Sequence, residues 1–136
     1  MIWKAYKYLY YRIYRWNRDM WKGFSDGPEY NALLGVFILL LFNISAVISF
    51  VGSLFEYKSV FDPGPPKSLV VVFNLISLTI LYFLFVSNSK YKQIEKEFST
   101  ESKALHIRHG YYVVAYVVGS VFMFFLSGFV ILFMQR

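Results

Sequence analysis

Ala32 to Phe55 reads ALLGVFILLLFNISAVISFVGSLF, a stretch without one charged side chain. A helix needs about 20 apolar residues to cross a hydrocarbon core roughly 30 Å thick, whereas a buried strand runs to only about 4–8. In lipid the backbone must satisfy its own hydrogen bonds, so a run of this length is read as a transmembrane helix. Two more stretches behave alike. Ser68 to Ser87 is SLVVVFNLISLTILYFLFVS and Tyr111 to Met134 is YYVVAYVVGSVFMFFLSGFVILFM, both uncharged. Neither shows the polar–apolar alternation of a membrane β-strand.

Composition agrees. The chain has 136 residues, 57% hydrophobic and 16% charged, where soluble domains carry about 25% charged residues. There is too little polar side chain to cover so short a chain in water. The expectation is an all-α integral membrane protein forming a single membrane domain over 1–136. Its three transmembrane helices, 32–55, 68–87 and 111–134, follow an N-terminal amphipathic interfacial helix over 1–22. No cleavable signal peptide is expected, because the first apolar run follows a charged segment and is too long for a signal core.

The connections fit this layout. Asp62-Pro63-Gly64-Pro65-Pro66 is a breaker cluster between the first two spans. Ser25-Asp26-Gly27-Pro28-Glu29 is a turn, with Pro28 and the acids suited to a helix start. The polar segment 88–110 is rich in helix formers, and Tyr91, Ile94 and Phe98 share one helical face. The second span is therefore expected to run on to Phe98 and to break at Ser99–Glu101, with Gly110 separating this cytoplasmic segment from the third span.

Orientation follows the basic residues beside the spans. Lys4, Lys7, Arg12, Arg15, Arg18 and Lys22 precede the first span, and Lys90, Lys92, Lys96, Lys103 and Arg108 lie between the second and third. Only Lys58 and Lys67 lie between the first and second. An odd number of spans puts both rich segments on one side. The N-terminus is expected in the cytoplasm and the C-terminus outside, in a membrane of the bacterial inner-membrane type.

The clearest local signal is MIWKAYKYLYYRIYRWNRDMWK, residues 1–22. On a helical wheel Lys4, Lys7, Arg15, Arg18 and Lys22 gather on one side, and Ile2, Leu9, Ile13, Trp16 and Met20 on the other. This is the layout of a helix in the headgroup region, its cations on anionic headgroups and its aromatics at the boundary. Lys4, Lys7, Arg15, Arg18, Lys22, Trp3, Trp16 and Trp21 are thus candidates for binding membrane lipids. The same helix could instead pack on a partner or gate a pore. A net charge of +6 is read as headgroup binding, not nucleic-acid binding.

Sites for chemistry are sparse. No span carries Asp, Glu, Lys, Arg or His, the residues that mark ion pathways and membrane hydrolases. The chain has no cysteine, which removes disulfides and thiol chemistry. His106 and His109 share a helical face near Glu97 and Glu101, a weak metal signal without a fourth ligand. They are read as interfacial groups, and neither a metal, a cofactor nor a catalytic residue is expected. What the spans offer is small and polar residues: Asn43, Ser45, Ser49 and Ser53 on the first, Asn74 and Ser77 on the second, Ala115 and Gly119 on the third. A buried asparagine in lipid seeks a hydrogen bond across helices, and small residues let backbones approach. These eight are candidates for helix–helix contact or for lining a pore.

A surface helix followed by three spans resembles the integral-membrane diacylglycerol kinases. In that family the second span carries glutamates and an asparagine that serve metal binding and phosphoryl transfer. Here that span offers Asn74, Ser77 and Thr79, and its first acid is Glu95, beyond the apolar run.

The first functional expectation is a non-enzymatic integral membrane subunit, structural, accessory or immunity-type, acting through helix–helix contacts with itself or with other membrane subunits. The alternative is a homo-oligomeric channel or pore-forming effector lined by the polar face of the first span. The third is a lipid-modifying enzyme using Glu95, Glu97, Glu101 and the histidines.

Overall fold

The structure, a computed structural model, describes residues 1–22, 27–54 and 66–134, with the side chains of residues 53, 54, 131 and 134 left aside. The expected turns at Ser25–Asp26 and Asp62–Pro65, and the Ser53 side chain, lie outside the described residues. All regular structure among the described residues is helical: α1 Ile2–Met20, α2 Pro28–Leu54, α3 Lys67–Phe85, a 3₁₀ turn Ser87–Ser89, α4 Lys90–Ser99 and α5 Lys103–Met134. Three stretches are long and apolar enough to cross a membrane, falling in α2, in α3 with the segment that follows it, and in α5.

Two boundaries differ from the sequence reading. The helix expected to run through to Phe98 is interrupted at Asn88 and Ser89, both left-handed at φ 56° and 57°. Asparagine tolerates that region better than most residues, and the Ser87-Asn88-Ser89 run is where the chain turns. The Lys90 ammonium then donates to the Phe83 carbonyl at 2.7 Å, satisfying one open carbonyl at the end of α3. Gly110, expected as a separator, lies inside the unbroken α5. One helical glycine costs only about 1 kcal/mol, and here it makes room: a Cβ would stand 2.6 Å from Arg12 Nη2.

The core gathers at one end. It is built from Tyr8, Leu9, Tyr10, Tyr11 and Tyr14 of α1, Ala32, Leu33, Val36, Phe37 and Leu39 of α2, Leu81, Phe85 and Val86, and Ile94 and Phe98 of α4. Tyr10 is fully buried and stacks on Phe85 with ring centroids 4.7 Å apart. Its hydroxyl donates to the Glu29 carbonyl at 3.1 Å, so burial does not strand a polar group. Gly35 lets α1 close on α2: a Cβ there would meet Ile13 Cγ2 at 3.2 Å. This capped end joins the start of α2, the end of α3, α4 and the start of α5 under α1.

The other end is open. α5 follows α2 along its length, with Phe42 stacked on Phe124 at 4.6 Å. α3 touches α2 sparsely, and its buried residues are Leu81 and Phe85, next to the cap. None of residues 66–80 is buried.

Candidate functional site

The residues singled out by sequence fall into two places. The first is the polar seam between α1 and the segment from α4 into α5. Lys7 Nζ pairs with Glu97 at 2.6 Å, and Arg18 pairs with Glu95. Arg18 also lies over the Tyr14 ring, 5.6 Å from its centroid. Arg15 donates to the Tyr11 hydroxyl at 3.0 Å and faces Asp19 at 3.8 Å. Three of the five basic candidates thus have protein partners. Lys4 and Lys22 are exposed and have none among the described residues. The tryptophans remain on the outside: Trp16 is 62% exposed, Trp21 52% and Trp3 46%. Of the expected aliphatic face, Leu9 and Ile13 pack into the protein, whereas Ile2, Trp16 and Met20 are exposed.

Glu101 is the centre of this seam. Its side chain is only 10% exposed. It accepts the Tyr8 hydroxyl at 2.8 Å, bonds His109 Nδ1, and faces His106 Nδ1 at 3.5 Å. Arg12 bonds the other ring nitrogen of His106, Nε2. A guanidinium can only donate, so Nε2 accepts and the His106 proton sits on Nδ1, towards Glu101. Burial pushes the Glu101 carboxyl up, but the hydrogen bonds from Tyr8 and His109 outweigh it and hold the group below its ordinary value. Tyr8 moves the other way: burial, then its bond to Glu101, push the phenol up to about 12. Chemically this is a closed latch. The histidines' shared face is turned onto one carboxylate and one arginine of the chain's own.

The second place is the apolar bundle. The Asn43 amide nitrogen, with two hydrogens to share, lies 2.9 Å from the Leu39 carbonyl of its own helix, 2.8 Å from the Tyr116 hydroxyl and 3.1 Å from Ser120 Oγ. The Tyr116 hydroxyl also meets that of Tyr6 at 3.2 Å. One amide thereby ties α2 to α5, and through Tyr116 to α1. Ser45 and Ser49 are half-buried. Asn74 lies on α3 and, among the described residues, donates only to the Val70 carbonyl of its own turn, at 2.7 Å. Ser77 lies beside it, half-buried and with no cross-helix bond among the described residues. Ala115 is exposed, and a Cβ on Gly119 would meet nothing within 4 Å. Asn43 therefore has cross-helix partners inside this chain, while Asn74, half-buried, has no cross-helix hydrogen bond among the described residues.

Sequence reasoning missed Tyr8, Arg12, Tyr6 and Tyr116 as positioning groups, and Glu95 and Glu97 as partners of α1. Their contacts join residues 73 to 110 positions apart, which no local period reveals. Gly35 and Gly110 were the available signals, since a glycine inside a helix often marks a close approach. No protein-family model matches the sequence, and neither a curated protein nor a solved structure matches it.

Proposed function

We propose that the chain is a non-enzymatic integral membrane subunit that acts through helix–helix contacts, with α1 and α4 on the cytoplasmic side. The observation that carries this reading is the state of α3 around Asn74. Asn74 lies about 10 Å along the helix from Lys67 at roughly 1.5 Å per residue, well inside a hydrocarbon core. One amide hydrogen goes to Val70, and the second hydrogen and the carbonyl have no partner among the described residues. Lipid tails supply no hydrogen bonds, and cross-helix bonds of this type are worth roughly 0.6–2 kcal/mol. The Asn43 amide nitrogen reaches across to Tyr116 and Ser120 of α5, and Asn74 has no such cross-helix acceptor among the described residues. A second helix laid on the Asn74–Ser77 face supplies one.

A photo-crosslinking residue placed at Ser77, with Leu75 as the control on the opposite face, tests this in native membranes. Leu75 is 59% exposed and turned to lipid. The reading expects protein adducts from position 77 and not from 75. An added 16.0 kDa identifies a second copy of this chain, and any other increment identifies a companion subunit. Lipid adducts alone at both positions would overturn the reading.

A further inference from the structure

The acids and bases of the capped end are sorted in space. Asp19, Glu95, Glu97 and Glu101 are each taken up by Lys7, Arg15, Arg18, Tyr8 or the two histidines. Arg12 is spent on His106 and Lys90 on the end of α3. The segment from α4 into α5 therefore turns its acids towards α1 and leaves Lys92, Lys96, Lys103 and Arg108 exposed, without an acidic partner among the described residues. Two of these sit on an unusual face. Along the first turns of α5, His106, His109, Gly110 and Val113 turn inward, while Lys103, Ile107, Arg108, Tyr111 and Tyr112 turn out. Ile107 is 50% exposed, Tyr111 74% and Tyr112 66%. Further along the same outward face come Val114, Val118 and Phe122, all exposed. Read along one helix, the surface passes from aliphatic to tyrosine to cation.

That gradient matches the depth profile of a bilayer leaflet: acyl chain, interfacial aromatic layer, phosphate. A soluble anion has no use for the aliphatic and tyrosine part. We infer that the outward face of α5 from Lys103 to Tyr112 is a binding site for anionic phospholipid headgroups, Lys103 and Arg108 holding phosphate and Tyr111 and Tyr112 lying at the acyl boundary. The inference rests on the membrane reading above. It moves headgroup recognition away from the basic face of α1, where Lys7, Arg15 and Arg18 are already bound by the chain's own acids and hydroxyls. Each unpaired cation near an anionic surface adds about 1 kcal/mol, so about fivefold in preference.

The test is lipid retention after reconstitution in bilayers of phosphatidylcholine with phosphatidylglycerol, read by mass spectrometry of the protein and its bound lipids. The unaltered chain is expected to retain phosphatidylglycerol above its share in the bilayer. In Lys103→Gln/Arg108→Gln that enrichment falls by an order of magnitude or more, and Lys103→Arg/Arg108→Lys keeps it, which controls for folding. In Lys7→Gln/Arg18→Gln it stays. Enrichment unchanged in Lys103→Gln/Arg108→Gln overturns the site, as does enrichment abolished by inorganic phosphate at constant ionic strength, which would make the ligand a free anion. A chain that enters bilayers but shows no enrichment sinks the headgroup site alone. A chain that enters none sinks the membrane reading with it.

Discussion

The two ends of this bundle are built on different terms. The capped end buries five residues of α1 against α2, α3 and α4 and closes its polar groups on one another through Glu101, Glu95 and Glu97. The open end holds together mainly along α2 and α5, and α3 leaves it with an asparagine half served. The difference teaches where the fold is decided and where the proposed partner would dock. Apolar side chains gain stability in water or at an interface by leaving it, so a helix with a buried tyrosine face can fasten the cap. Deep in lipid that gain vanishes and only close packing and polar bonds hold helices together. The cap can fold on the chain's own residues, whereas the far half of α3 has little to hold it.

The sharpest way to break the comparison is Tyr10→Ala. It empties a fully buried position stacked on Phe85, a loss of about 3–5 kcal/mol in closely packed interiors. Thermal unfolding in detergent should show it, while Phe73→Ala, at a 49% exposed position of the open end, should shift the midpoint little. Equal losses from both would mean the two ends are alike. Gly35→Leu comes next, at about 1–3 kcal/mol for overpacking, because the new side chain must displace Ile13 and with it α1. Loss of α1 protection in hydrogen exchange, with α5 unchanged, is the expected signature. Asn43→Ala should cost about 0.6–2 kcal/mol, since it removes the bonds to Tyr116 and Ser120.

Glu101 gives the comparison a pH axis. Its carboxyl is held below its ordinary value when folded, so its contribution is fully present above the unfolded carboxylate value and is lost as pH falls through the depressed folded one. Acid should therefore loosen α1 before it disturbs the α2–α5 pair, and Glu101→Gln should flatten that dependence. Fluorescence of Trp3, Trp16 and Trp21, all on α1 or just after it, reports the loosening. Smallest is the Lys7–Glu97 pair, both partly exposed; Lys7→Gln should cost no more than about 1 kcal/mol.

The three membrane-length helices were legible because length and the absence of charge are one-dimensional signals. The break at Asn88–Ser89 was not placed, because helix formers on both sides of it outvoted two residues whose left-handed backbone only the packing demands. The basic face of α1 was legible as a face, but not its neighbours. Glu95 and Glu97 look solvated in sequence, and only the turn after α3 swings α4 back so that they meet Arg18 and Lys7. Asn43 and Asn74 look equivalent on paper; what separates them is that α5 stays beside α2 while α3 does not.

The topology beneath all of this can be probed directly, since the chain has no cysteine and single ones can be added at will. Cysteines at Lys4, Gln93 and Lys67, labelled in intact membranes with an impermeant maleimide, should divide two against one. Positions 4 and 93 react from the same side and position 67 from the other. Reaction of positions 4 and 93 from opposite faces would contradict the account, because α1 and α4 could not then form one cap.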